Sequence, residues 1–120
     1  MHEGPPITVK KSVFRGTVFR VSSDAEARSL VKEMKGRERK AAHVAFAFRA
    51  GENPVAEGMS DDGEPRGTAG LPLLLLLRNR NLTGVLVTVT RHWGGIKLGP
   101  GNLARAYTSA AVAALDTWKA

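Results

Sequence analysis

The sequence contains no cysteine. Disulfide bonds, thiol catalysis and cysteine-held metal sites are therefore excluded. Its three histidines, His2, His43 and His92, are too far apart in the chain to show metal-ligand spacing. The longest apolar run, residues 71–77, contains a proline and is far too short to cross a bilayer. We therefore expect no metal, no cofactor and no contact with a membrane.

Acidic residues are scarce relative to basic ones. The chain has 11 Asp and Glu against 18 Lys and Arg, which gives a net charge of +7. This excess favours acidic partners such as RNA, an acidic protein face or anionic lipid, although many small basic proteins bind nothing anionic. The N-terminus lacks the apolar segment of a secretory signal. We expect a cytoplasmic protein and, at 120 residues, one domain.

The hydrophobic pattern predicts an α+β fold. Residues 1–9, which include two prolines and a glycine, are predicted to form a flexible N-terminus, followed by a single domain over residues 10–120. Two strands, a helix, a strand, a helix, a strand and a last helix follow, and Ser22 or Ser23 with Glu26 caps the first helix. We expect a two-layer α/β sandwich with a mixed sheet of about four strands and its helices on one face.

Three carboxylates lie close together in "SDDGEPRGTAG": Asp61, Asp62 and Glu64. Clustered carboxylates can bind a hard cation or supply a general acid and base. Their spacing does not match a calcium loop, and no histidine lies nearby in the sequence. Acidic residues before a helix favour its N-terminal dipole, and the Gly-Thr step at Thr68 can cap it. We prefer a helix cap or a solvated turn over a metal site, and we rank a docking role between these two interpretations.

A second candidate is the glycine-rich segment "RHWGGIKLGPGN", residues 91–102. Arg91, His92 and Lys97 supply cations, and Trp93 offers a flat surface for stacking. The segment precedes a helix, where anions can bind, but it matches neither the P-loop nor the dinucleotide fingerprint. His43, on a strand face of small residues, is a further candidate; a catalytic role is possible, but a hydrogen-bonded structural histidine is preferred.

Taken together, "SDDGEPRGTAG" and "GVLVTVTRHWGGIKLGPGNLARAY" closely resemble the signature of the IMPACT/YigZ family. The resemblance extends from about Lys10 to the end of the chain. It implies a fold similar to the second domain of a ribosomal protein, in a superfamily with RNA-contacting domains and some enzymes. Eukaryotic members of the family are linked to translation control through competition for the activator of a starvation-responsive kinase, and nucleic-acid binding is suggested for bacterial members.

The sequence departs from the family pattern at several positions. Arg66 replaces a small hydroxyl residue, His92 and Trp93 replace a tyrosine–phenylalanine pair, and Pro100 and Asn102 replace small residues. Relatives usually carry a second domain, ferredoxin-like in bacteria, which this sequence does not show. We therefore expect a single-domain member or one part of a longer protein.

Three functions remain open. The first is a non-enzymatic, translation-associated binding or regulatory domain that contacts RNA or a translation-related protein, without DNA sequence specificity. The second is a phosphate- or metal-dependent enzyme that uses the Asp61–Glu64 cluster and the Gly94–Gly99 loop, and it requires those carboxylates to converge with Lys97 around a pocket. The third is a protein-interaction domain without affinity for RNA. The candidates for the binding face are Asp61, Asp62, Glu64, Thr68, Arg91, Trp93, Gly94, Gly95, Lys97 and Arg105.

Charge reversal at both Arg91 and Lys97 is expected to abolish binding and to leave folding nearly unchanged if the two residues are exposed cations. If they instead pair with Asp61, Asp62 or Glu64 and serve structure alone, the reversal should lower the melting temperature and leave binding unchanged.

Overall fold

The computed structural model describes residues 1–119. Along the chain, the strands and helices are β1 (His2–Glu3), β2 (Ile7–Val9), β3 (Ser12–Arg20), α1 (Asp24–Arg37), β4 (His43–Ala50), β5 (Ala56–Ser60), α2 (Gly70–Asn79), β6 (Val85–His92) and α3 (Pro100–Thr117).

The strands form one open sheet of six strands in the order β1-β3-β6-β4-β5, with β2 also paired to β3. Every pairing is antiparallel. The α+β class predicted from the sequence is therefore confirmed, whereas the sheet has more strands than the four expected and is not mixed. The extra strands are short edge strands, which carry little periodicity of their own.

The first nine residues form two of these edge strands, which corrects the prediction that they lack regular structure. His2 and Glu3 pair with β3, and Ile7–Val9 forms a hairpin with the start of β3. The hairpin turns at Lys10 and Lys11, both of which have positive φ. Gly4, Pro5 and Pro6 lie between the two short strands, so the prolines remove no ladder hydrogen bond from either strand.

Helices cover both faces of the sheet. Along β4, Ala45 and Ala47 pack with α2 and α3, while Val44, Phe46 and Phe48 pack with α1 on the opposite face. The sheet thus lies between helices in three layers, where the sequence predicted helices on one face only. Strand residues alternate between faces, so β4, which is apolar on both faces, must be buried on both.

One end of the sheet brings distant segments together. The start of β3, the start of β4 and the end of β6 are adjacent there, since Phe14 and His43 both pair with Arg91. We call this the pocket end, because the segments before α2 and α3 enclose a pocket beside it. No helix within residues 1–119 is long and apolar enough to span a membrane.

Candidate binding pocket around a buried ion pair

A pocket of about 560 Å³ opens at the pocket end. Its walls are mostly apolar, and polar side chains from three separate segments lie at its base. We call it the Glu64 pocket. It is lined by Ala42, His43, Glu64, Pro65, Arg91, Trp93, Lys97, Leu98, Gly99, Pro100 and Leu103.

Glu64 lies at the base of this pocket with a side chain that is only 3% exposed. Arg91, 7% exposed, donates from Nη1 to both carboxylate oxygens of Glu64 at 2.9 Å. The Tyr107 hydroxyl, from α3, donates to Oε2. Burial and this hydrogen bond to a carboxylate raise the pKa of Tyr107 far above its ordinary value. The buried carboxylate is therefore matched by a cation and a neutral donor.

Arg91 is held on its other side by Ser12. Its Nε and Nη2 both lie 3.3 Å from Ser12 Oγ, which also accepts from the backbone N–H of Gly94 at 3.2 Å. The guanidinium also lies over the ring of Phe14, 5.4 Å from its centroid. Of the two alternatives left open by the sequence, Arg91 follows the second, because it is buried and paired with Glu64, whereas Lys97 is an exposed cation. The sequence does not decide between the alternatives, because Arg91 lies near the end of β6 and its carboxylate partner is 27 positions away in the chain.

His43 occupies the edge of the same cluster. Its Nδ1 lies 2.7 Å from the carbonyl oxygen of Asp62, and its Nε2 lies 3.4 Å from Glu64 Oε1. A carbonyl oxygen only accepts, so Nδ1 carries a proton and donates to it. His43 is therefore hydrogen-bonded on one side, as preferred from the sequence, and presents its other nitrogen to the pocket.

Asp61 organises the chain that precedes α2. One of its carboxylate oxygens accepts from the backbone N–H groups of Ala69 and Gly70, at 3.1 and 2.8 Å, and the other accepts from Gly67 at 3.0 Å. Burial alone would raise the pKa of Asp61, but these three bonds outweigh it and leave the pKa below its ordinary value. The capping interpretation of the acidic turn fits this geometry.

Asp62 faces away from the pocket. Its carboxylate accepts from Lys35 Nζ and from the Val44 backbone N–H, each at 2.7 Å, and so joins α1 to the start of β4. Thr68 is buried and donates to the carbonyl oxygen of Pro65, within the same turn, so its side chain does not cap α2 as the sequence predicted. Of the three clustered carboxylates, only Glu64 lies in the pocket. The convergence that the enzyme hypothesis required is not present.

The glycine-rich segment forms one wall of the pocket. Trp93 is 59% exposed, and Lys97 is exposed beside it. Gly94 packs against the backbone of Lys11, and Gly95 has a positive φ of 88°. Arg105, on the first turns of α3, is exposed and donates to the side chain of Asn102 at 2.7 Å. The pocket lining does not include Gly94, Gly95 or Arg105.

Exposed cations surround the pocket end. None of these cations forms an ion pair within residues 1–119. They are Lys10, Lys11, Arg39, Lys40, Arg66, Lys97 and Arg105. Away from this end, the arginines Arg28, Arg49, Arg78 and Arg80 are all paired with carboxylates. Three further exposed cations without an ion pair, Arg20, Lys32 and Lys119, lie elsewhere, so most but not all of the unpaired positive charge of residues 1–119 is near the pocket end.

Sequence reasoning missed two members of the buried cluster. Neither Tyr107 nor Ser12 was among the candidate site residues. The available signal for Tyr107 was its hydroxyl: a tyrosine on a buried helix face requires a hydrogen-bond partner. Residues 1–119 contain no group of three or more His, Asp or Glu side chains that could hold a metal ion.

The fold and the pocket define a basic α+β domain with a pocket of small-molecule size, and the comparisons with known proteins assign its family. A family model described as "Impact N-terminal domain" matches residues 10–115, and the chain belongs to this family. The chain is 44% identical over 101 residues to IMPACT family member YvyE of Bacillus subtilis, covering 84% of this chain and 46% of that protein. It is 36% identical over 108 residues to IMPACT family member YigZ of Escherichia coli, covering 85% and 53%. The chain thus spans about half the length of these relatives.

Two solved structures share the fold. One, titled as a hypothetical protein, superposes with a TM-score of 0.88 at 30% identity and covers 98% of this chain and 62% of that one. The other is the two-domain translational regulator Yih1, with a TM-score of 0.66 at 27% identity, covering 96% of this chain and 46% of Yih1.

Proposed function

We propose that this domain is a non-enzymatic binding module in translational regulation, and that its pocket end contacts single-stranded RNA. The observation that carries the proposal is the concentration of unpaired cations around the Glu64 pocket. Exposed lysines and arginines without carboxylate partners are available to phosphate oxygens, which dominate the affinity of proteins for nucleic acid.

The similarities support the translational part of the proposal. The chain belongs to the IMPACT family, and its fold resembles that of Yih1, which is titled a translational regulator. Trp93 supports the choice of single-stranded RNA, because an exposed indole beside cations can stack on an unpaired base.

The enzyme hypothesis has less support. Asp61 and Asp62 direct their carboxylates to backbone N–H groups and to Lys35, away from Lys97. The one carboxylate in the pocket, Glu64, already accepts from Arg91 and Tyr107. A carboxylate bound in this way is a poor general base, because a buried cation already balances its charge.

Fluorescence anisotropy with a labelled single-stranded oligoribonucleotide tests the proposal. We expect binding that weakens steeply with salt, by about 50-fold between 50 and 200 mM if about four phosphates are contacted. The double variant Lys40→Glu/Lys97→Glu, which reverses two cations at the pocket end, should bind more weakly and with a shallower salt dependence. The matched control, Lys32→Glu/Lys119→Glu, makes the same change in net charge away from the pocket end and should bind like the parent.

Equal losses in the two double variants would mean that only net charge matters and would contradict an RNA surface at the pocket end. Absence of binding at low salt would remove RNA as the partner. In that case, capture from lysate that survives ribonuclease treatment would support the protein-interaction hypothesis.

A further inference from the structure

We propose that the Glu64 pocket accepts one unstacked nucleobase that carries an amino group, that is adenine, cytosine or guanine rather than uracil. This inference rests on the RNA-binding function proposed above and names what the pocket itself recognises. It is carried by the pocket's shape, its aromatic wall and two neighbouring hydrogen-bond acceptors at its base.

The walls suit a flat ring. The apolar residues that line the pocket include Trp93, Leu98, Pro65 and Leu103. The pocket volume of about 560 Å³ lies within the range of small-molecule sites. An aromatic side chain beside aliphatic surface binds a nucleobase by stacking and by burial of its ring faces. A base that is already unpaired enters such a pocket at a low cost in stacking energy.

At the base of the pocket, two hydrogen-bond acceptors lie side by side without a donor that both of them share. His43 donates from Nδ1 to the carbonyl oxygen of Asp62, so Nε2 is an acceptor when the ring is neutral. It faces Glu64 Oε1, a second acceptor, at 3.4 Å. Arg91 and Tyr107 donate to Glu64, and neither donates to His43 Nε2. An NH₂ group at a normal hydrogen-bond distance of about 2.9 Å from both Nε2 and Oε1, to one side of the line that joins them, would donate to both.

This geometry selects among the bases. Adenine and cytosine carry an amino group on their Watson–Crick edge, and so does guanine, whereas uracil carries carbonyl oxygens at the corresponding positions. Uracil has a single N–H on that edge, flanked by two carbonyl oxygens, and donation from it would bring those oxygens toward the same acceptors and away from water. Arg91 balances the charge of Glu64, so the floor of the pocket carries no net charge. An uncharged nucleobase therefore suits it. The surrounding cations, of which Lys97 lines the pocket, would contact the adjoining phosphates.

The chain allows a direct optical test because it has two tryptophans, of which only Trp93 lines the pocket. Trp118 packs beside Arg20, whose guanidinium lies 5.0 Å from its ring centroid. In a Trp118→Phe background, Trp93 is the only source of tryptophan fluorescence. We expect adenine-only and cytosine-only oligoribonucleotides to quench this fluorescence, and uracil-only ones of equal length to bind more weakly.

Two variants separate stacking from base readout. Trp93→Leu keeps an apolar wall but removes the ring, and it should weaken binding of adenine oligoribonucleotides by about 5- to 150-fold. His43→Phe keeps the ring volume and removes Nε2, and it should reduce the preference for adenine over uracil while leaving stacking in place. Trp118→Phe is the control for loss of a tryptophan elsewhere, and thermal melts confirm that each variant is folded.

The outcomes distinguish the two proposals. Salt-dependent RNA binding that is unchanged by Trp93→Leu, without quenching, overturns the nucleobase site and leaves the RNA surface standing. Equal binding of adenine and uracil oligoribonucleotides overturns the amino-group readout. Absence of RNA binding at low salt overturns both proposals.

Discussion

At the scale of single residues, Glu64 and Arg91 depend on each other. Both are almost fully buried, and each supplies the charge that compensates the other. Removing one partner of a buried ion pair leaves an uncompensated charge in a medium of low polarity, which costs more than the pair contributes in net stability. The pair also fixes the base of the pocket, because Arg91 is held from behind by Ser12.

We predict that Glu64→Gln lowers the free energy of unfolding by about 3–5 kcal/mol, because it keeps the side-chain shape and leaves Arg91 buried without a counter-charge. Urea denaturation measures this loss. The double variant Glu64→Gln/Arg91→Met should lose less than the sum of the two single variants, because neither charge then remains alone. Strictly additive losses would show that the two side chains do not act as a pair.

The same observation revises the charge-reversal experiment suggested by the sequence. Reversal of Lys97 alone should leave folding nearly unchanged, because Lys97 is exposed. Reversal of Arg91 would place two carboxylates together in a buried site and is expected to unfold the domain, so it cannot report on binding.

At the scale of elements, the glycine-rich segment lies where it does because backbones meet closely there. A Cβ atom on Gly94 would lie 2.2 Å from the backbone of Lys11, in the β2–β3 turn. Contact with backbone cannot be relieved by a change of rotamer. This approach brings the turn at the start of β3 against the segment that carries Trp93.

We predict that Gly94→Ala destabilises the domain by about 1–3 kcal/mol, the usual cost of overpacking, because a segment of backbone must move. The matched control is Gly36→Ala within α1, where an added Cβ meets nothing within 4 Å. That change should stabilise the domain by about 0.5–1 kcal/mol, because alanine favours a helix more than glycine does. Chemical denaturation of both variants decides the point, and equal midpoints would contradict the close approach.

At the scale of the whole molecule, the only tyrosine in the sequence joins α3 to Glu64 at the base of the pocket. Tyr107 is fully buried, packs edge-on against Phe14 at 5.1 Å and donates to Glu64. Ionisation would place a second negative charge beside that carboxylate in a buried site. The folded state therefore holds the phenolic proton more tightly than the unfolded chain does.

We predict that stability falls as the pH rises above about 10, the ordinary pKa of tyrosine. Above that value the unfolded chain releases the Tyr107 proton while the folded protein retains it, so unfolding is increasingly favoured; below it this contribution is fully present. Absorbance at the phenolate band should change only together with loss of circular dichroism. A smooth titration near pH 10 in a protein that stays folded would contradict the buried hydrogen bond.

Local sequence determined much of the fold. Ser23 accepts from the backbone N–H of Glu26, and the Glu26 side chain accepts from the backbone N–H of Ser22, as the capping motif predicted. Alternation along β4 and the helical stripe Ala27, Val31 and Met34 also follow from periodicity. These features depend on residues a few positions apart, so a linear pattern contains them.

Only the tertiary structure decided how the candidate residues are divided between structure and pocket. Asp61 and Glu64 are neighbours in the chain, yet Asp61 bonds to the backbone before α2 while Glu64 meets Arg91 and Tyr107, 27 and 43 positions away. Strand pairing and helix packing set such distances, and burial then determines which charges must be paired. The sequence determined which chemistry was available, and the fold determined that Glu64, rather than Asp61 or Asp62, faces the pocket.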